Sequence, residues 1–165
     1  MKLLSAAPAR LLATGVLAVG LSGGIASVSA PVAQAAPAAP TSVSVQTGLS
    51  SAQARSVLRI AASKKGTPYR YGAAGPNRFD CSGFTSWTFK RVGKSLPRTA
   101  NQQYRASKKI SRGQARPGDL VFYGGRNKHH VGIYAGNGKM WHSPRTGDVV
   151  KLSSVRGGAS YGRVR

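Results

Sequence analysis

The chain has 165 residues, with 25 Lys and Arg against three Asp and no Glu, a formal net charge of +22 and a single cysteine. That length allows one domain plus appended segments and excludes two full domains. Three scattered Asp argue against a paired-carboxylate site, and a lone cysteine excludes an intrachain disulfide.

The first stretch reads as a targeting segment and not as part of the fold. Lys2 and Arg10 flank its start, Leu11 to Leu21 is apolar, and Ala33-Gln34-Ala35 is a small-x-small cleavage signal. This is the layout of a secretory signal peptide over residues 1–35, and its apolar run is too short for a membrane-spanning helix, which needs about 20 residues. Residues 36–50, rich in Ala, Pro, Ser, Thr and Val, read as a flexible lead-in. A compact domain is expected over 51–165.

Ser50-x-x-Gln53 is a capping-box pattern. Behind it Ala54, Val57, Leu58, Ala61 and Ala62 share one helical face, so a helix is expected over 51–65, closed by Gly66 and kept from resuming by Pro68. A short extended piece, Tyr69-Arg70-Tyr71, and a Gly-rich loop lead to a second helix from Cys81 to about Val92. Pro97 holds Leu96 extended, and Thr99-x-x-Gln102 starts a short helix over 100–107. From Pro117 the period becomes that of strands: 119–123, 129–134, 139–143, 149–152 and a weak 161–164, punctuated by Gly and Asn. Helices followed by antiparallel strands predict an α+β fold with a five- to six-stranded sheet.

The cysteine lies in Phe79-Asp80-Cys81-Ser82-Gly83-Phe84, where Asp80 or Ser82 caps the second helix. A lone cysteine is, by itself, more often a buried structural thiol. Two things point elsewhere. A helix N-terminus favours thiolate over thiol, and an unpaired thiol in an exported protein is a liability unless it is used.

A nucleophilic cysteine needs a base within hydrogen-bond reach and a group that orients the base. In His129-His130-Val131-Gly132-Ile133-Tyr134 the side chains alternate. If Val131 and Ile133 face a core away from the second helix, His130 and the bare Gly132 face the start of that helix, and His130 rather than His129 meets Cys81. His142, on the next strand, shares His130's face only if the hairpin loop holds an odd number of residues or the ladder is bulged. Gly136-Asn137-Gly138 as a three-residue loop satisfies this and sets Gly132 against His142. Zinc ligation by two His and the Cys lacks any CxxC or HExxH spacing, and no metal or cofactor is expected.

Lys2 and Arg10 are the only basic residues before position 36, so the exported chain would carry +20. Dispersed cations of this number either solvate the surface or attract a polyanion. Export argues for wall polymers and against nucleic acid, for which no zinc-finger or aromatic RNA-binding motif is present.

These motifs, in their order, resemble the NlpC-type cell-wall cysteine peptidases, relatives of papain. The resemblance spans about 51 to 165. It is carried by Gly66-Thr67-Pro68-Tyr69-x-Tyr71-Gly72, Phe79-Asp80-Cys81-Ser82-Gly83, Leu96-Pro97-Arg98-Thr99, Arg116-Pro117-Gly118-Asp119-Leu120-Val121-Phe122, His130-Val131-Gly132-Ile133-Tyr134 and His142-Ser143-Pro144. It implies a papain-like fold and hydrolysis of peptidoglycan stem peptides between D-γ-glutamyl and a diamino acid. Cys81 would be the nucleophile, His130 its base and His142 the orienter. Tyr69, Asp80, Ser82 and Arg98 would grip the substrate. Ala73 departs from the family, where a second Gly often follows Gly72. The rival readings are an N-acetylmuramoyl-L-alanine amidase on the same fold and a non-enzymatic cationic envelope protein. A monomer outside the cytoplasmic membrane is expected, held to the wall through its charge.

Overall fold

In the computed structural model the described residues are 48–165. The expected signal peptide and residues 36–47 of the lead-in lie outside them. The last of the lead-in belongs to the domain, because Leu49 packs on the core and Ser50 caps the first helix.

Among these residues three α-helices precede six strands, with one short 3-10 turn (Arg112–Gln114) after the first strand: α1 (Ser51–Ser63), α2 (Cys81–Lys90), α3 (Ala100–Ala106), β1 (Lys108–Ile110), β2 (Leu120–Tyr123), β3 (His130–Gly136), β4 (Lys139–His142), β5 (Lys151–Ser154) and β6 (Ser160–Arg163). The sheet is antiparallel throughout, in the order β1-β6-β2-β3-β4-β5. The α+β expectation holds with six strands.

Both capping boxes form, at Ser50 with Gln53 and at Thr99 with Gln102. α1 stops two residues early, since Lys64 is its cap and the Gly66 N–H goes to the Val150 carbonyl instead. α2 likewise ends at Lys90, short of Val92, where the backbone tightens into turns. β1 escaped the sequence pattern: Lys108-Lys109-Ile110 has no alternation and is an edge strand held by β6 alone. β5 starts two residues later than Val149 and Val150 suggested. Val150 instead exchanges backbone bonds with Gly66 and Thr67, ahead of the strand.

The helices cover one face of the sheet. Val57 and Ala61 of α1, Phe84 and Phe89 of α2, and Leu120, Phe122, Val131 and Ile133 of the sheet form one buried cluster. Each of the two phenylalanines contributes about 1.5–3 kcal/mol by leaving water. The opposite face carries a smaller cluster, Val121, Met140 and Tyr161.

That arrangement corrects one step of the sequence argument. Val131 and Ile133 face the helices, so Gly132 points to the far side. A side chain there would meet His142 Cβ and Met140 Sδ, both at 3.1 Å, and not α2. It is Gly83 that lets another chain segment close on α2: a Cβ at that position would sit 2.1 Å from the Ala73 carbonyl.

The β3–β4 hairpin also differs from the expected three-residue loop. Gly136 pairs with Lys139 across a two-residue Asn137-Gly138 turn, both residues in the left-handed region that such turns require. The ladder then slips between Tyr134 and Gly136, leaving Ala135 as the extra residue of a bulge. The bulge restores the parity that the turn alone would break, and continuing the register from Ile133 and Trp141 sets Gly132 against His142.

Candidate active site

Asp80 opens α2. Its carboxylate accepts the Gly83 N–H at 2.6 Å as N-cap, the Gly72 N–H at 2.9 Å and the Ser82 hydroxyl at 3.3 Å. Arg98 pairs with both its oxygens and also donates to the Ser82 hydroxyl at 3.1 Å. Asp80 and Ser82 are buried and do not line the cleft described below, and nor does Arg98. Three of the four residues expected to grip substrate thus form one network behind Cys81, while the fourth, Tyr69, lies on the cleft wall.

Cys81 is the first residue of α2, so its N–H has no acceptor within the helix. Its side chain packs with the helix-side core but reaches the beginning of β3, where the sulfur stands 3.9 Å from the His129 carbonyl. The expected easy ionisation is not what this setting favours. Burial pushes the Cys81 thiol up from its usual range, and the Val131 N–H that opposes the rise does not cancel it. The helix N-terminus supplies a donor for developing negative charge while the resting group remains a thiol.

His130 and His142 project from the sheet face away from the helices and share one hydrogen bond, His130 Nε2 to His142 Nδ1 at 2.9 Å. The second nitrogen of His142 lies 3.0 Å from the Ser153 hydroxyl. Burial first, then the charges of His142, His129 and Arg156, hold the His130 imidazole down to about 4. Burial and Lys151 hold His142 down to about 4 as well. Both rings are neutral at neutral pH, so each carries one N–H. With His130 Nε2 donating to His142, and His142 Nε2 donating to Ser153, the lone pair of His130 Nδ1 is left free.

Cys81, His130, His142 and Tyr69 line a single cleft of about 1000 Å³, together with Tyr123, Arg145, Lys151, Ser153 and Arg156. His129 also lines it, but its main chain rather than its ring meets the thiol. Burial, then Cys81 and Asp80, push the Tyr69 phenol up, so it keeps its proton as a donor. Among the described residues no group of three or more His, Cys, Asp or Glu side chains is set to hold a metal ion.

Ser153 and Arg156 were missed by reading the sequence. Ser153 pairs with Met140 and therefore shares His142's face. The signal was the alternation of Lys151-Leu152-Ser153-Ser154, obscured because the valines drew the strand two residues early.

Residues 66–164 match the NlpC/P60 family. The bifunctional muramidase/DL-endopeptidase CwlT of Bacillus subtilis is 42% identical over 120 residues, 66% of this chain and 36% of that protein. The chain spans about half or less of the length of this and other curated relatives. Among solved structures, the resuscitation promoting factor interacting protein RipA superposes with a TM-score of 0.65 at 35% identity, over 68% of this chain and 62% of that one. Its structures include forms mutated at a cysteine, a histidine and a glutamate that lie 49 and 12 residues apart, the separations of Cys81, His130 and His142 here. RipD of Mycobacterium tuberculosis, described as a non-catalytic NlpC/p60 domain adapted to peptidoglycan binding, superposes with a TM-score of 0.61 at 32% identity, over 68% of this chain and 98% of that one. The match takes in the cysteine-bearing helix and all six strands, and the papain-like fold agrees with it: the chain belongs to the NlpC/P60 family.

Proposed function

We propose that the protein is an exported cysteine endopeptidase that hydrolyses peptidoglycan stem peptides at the bond between D-γ-glutamyl and a diamino acid. The observation that carries this reading is the placement of Cys81 and the hydrogen-bonded pair His130–His142 in one cleft. The matching separations in RipA support the same three residues as the reacting set.

In this mechanism His130 Nδ1 takes the Cys81 proton as the sulfur attacks the amide carbon. The Cys81 N–H and the Tyr69 hydroxyl stabilise the oxyanion. Collapse breaks the C–N bond, and His130 returns the proton to the departing amine. Water, deprotonated by the same ring, then hydrolyses the thioester and frees the carboxylate and the thiol. His142 and Ser153 hold His130 in the tautomer that each step needs. Tyr69 contacts the acyl half of the substrate, and Asp80, Ser82 and Arg98 position it from behind. The basic surface holds the protein to anionic wall polymers, an association that high salt would weaken.

RipD favours a second reading, a domain that binds peptidoglycan without cutting it. Digestion of purified peptidoglycan by wild type and Cys81→Ala, followed by mass spectrometry, separates the alternatives. New D-γ-glutamyl termini made only by wild type support the endopeptidase. Whole stems freed from glycan would mean an amidase, and identical wild-type and variant products would mean a binding domain.

A further inference from the structure

The chain has three acidic side chains in all, and each is already paired: Asp80 with Arg98, Asp119 with Arg163, and Asp148 with Lys151. The cleft wall formed by the β4–β5 connection, β5 and the segment after it carries Arg145, Lys151 and Arg156. Lys151 has its counter-ion in Asp148 at 2.7 Å. Asp148 also lines the cleft, and the charge of Arg145 is among those that lower its carboxyl, so only Arg156 of the three has no carboxylate beside it. The Arg156 guanidinium therefore stands at a concave surface of about 1000 Å³ with its charge uncompensated, and Arg145 adds positive charge to the same wall. Within a cleft such a charge is screened less than on an open surface, and it attracts an anion of matching shape.

Arg156 has a defined place relative to the reacting groups. Its main-chain N–H donates to the Tyr123 hydroxyl at 2.9 Å, and its guanidinium lies 5.9 Å from the centre of the Tyr123 ring. The Tyr123 ring in turn stands 6.1 Å from the centre of the His130 ring. Arg156 thus lies one aromatic ring beyond the imidazole that protonates the leaving amine. In the proposed mechanism His130 protonates the departing amine, which puts the amine-bearing half of the substrate toward Arg156, while Tyr69 lies near Asp80 and Arg98. Gly157 and Gly158, next along the wall, carry no side chain to cover the guanidinium.

We infer that Arg156, backed by Arg145, forms a carboxylate subsite on the leaving-group side, so that stems whose diamino acid carries a free carboxylate are cut in preference to the same stems with that carboxylate amidated. This rests on the endopeptidase reading above and adds to it the charge state of the substrate. A guanidinium suits this role because its planar fork offers two parallel donors to one carboxylate.

The test uses two synthetic stem peptides, identical except that the diamino acid carboxylate is free in one and a carboxamide in the other. The expected result is a kcat/KM about tenfold higher for the free acid, the size that one hydrogen bond to a charged group supports. The difference should lie mostly in KM and shrink as salt is raised. Arg156→Gln brings the ratio toward one, and Arg156→Lys keeps part of it. Arg59→Gln, on the exposed side of α1, keeps the wild-type ratio and so removes net charge as the explanation. Equal cleavage of both peptides by wild type, or a preference that survives replacement of both Arg145 and Arg156 by Gln, overturns the subsite and leaves the peptidase standing. Cleavage of neither peptide, with wild type indistinguishable from Cys81→Ala, overturns both.

Discussion

His130 Nε2 and His142 Nδ1 stand 2.9 Å apart, and His142 Nε2 stands 3.0 Å from the Ser153 hydroxyl. One proton serves the first contact, so the tautomer of His142 decides whether His130 Nδ1 carries a lone pair or an N–H, and in the proposed mechanism that atom takes the Cys81 proton. Ser153 biases that choice by accepting from His142 Nε2. Ser153→Ala should lower kcat about fivefold with little change in KM, the size of one hydrogen bond of about 1 kcal/mol. A merely structural serine would not respond to the next step. In His142→Glu, where a carboxylate accepts directly from His130, adding Ser153→Ala should cost nothing further. A double-mutant cycle in kcat reads the coupling.

The depressed imidazoles set a pH profile. With His130 held to about 4 and the Cys81 thiol pushed up, the resting pair is neutral thiol and neutral base over a wide range. The acid limb of kcat/KM should therefore fall near pH 4 instead of near the ordinary histidine value of 6.5, and the alkaline limb should lie above the ordinary thiol value of 9.0. Measured kcat/KM from pH 3.5 to 10.5 checks both limbs.

The same groups link stability to acid. Between about 4 and 6.5 the unfolded chain protonates both histidines while the folded chain does not. Stability present above 6.5 is thus lost as pH falls through that window, by at most about 1.4 kcal/mol per pH unit for each ring. Thermal melts from pH 7.5 to 4 should show a falling Tm, and His142→Asn should lessen the slope.

Much of this site was legible because Cys81, His130 and His142, the proposed nucleophile, base and orienter, each sat in a strongly patterned segment. Asp80 and Ser82, as alternative caps, announced the start of α2, and the alternation of His130 to Tyr134 separated His130 from His129. What could not be read was which side of the sheet the helices cover, because Val131 and Ile133 are apolar enough for either core. The hairpin was similarly ambiguous: Asn137-Gly138 favours a two-residue turn, and only the bulge at Ala135 reconciles that turn with two histidines on one face. Arg156 carried no local signal at all, since its significance comes from where the three acids are spent.

Asp80 and Arg98 offer a prediction that divides structure from substrate contact. The Asp80 carboxylate is buried and accepts from Gly72, Ser82, Gly83 and Arg98. Asp80→Ala should lower stability by about 3 kcal/mol, because it removes the helix cap and leaves the guanidinium without its partner. Arg98→Ala should cost less than this alone, and the double variant less than the sum of the two. Chemical denaturation reads the stabilities. If Asp80 and Arg98 position Tyr69, KM at a permissive temperature rises in both variants together.

Gly132 ties the sheet to the chemistry most directly. A methyl group there would lie 2.9 Å from the Trp141 carbonyl oxygen, a backbone atom that has little room to move, and 3.1 Å from His142 Cβ. β3 and β4 must separate slightly to admit it, and His142 moves with β4. Overpacking of this kind costs about 1–3 kcal/mol. Activity should suffer more than stability, because the 2.9 Å contact between the rings lengthens while the rest of the core is untouched. Gly132→Ala is therefore expected to remain folded at 20 °C by circular dichroism, with kcat reduced more than tenfold. Wild-type kcat in a folded Gly132→Ala protein would mean that the spacing of the two rings does not govern the reaction.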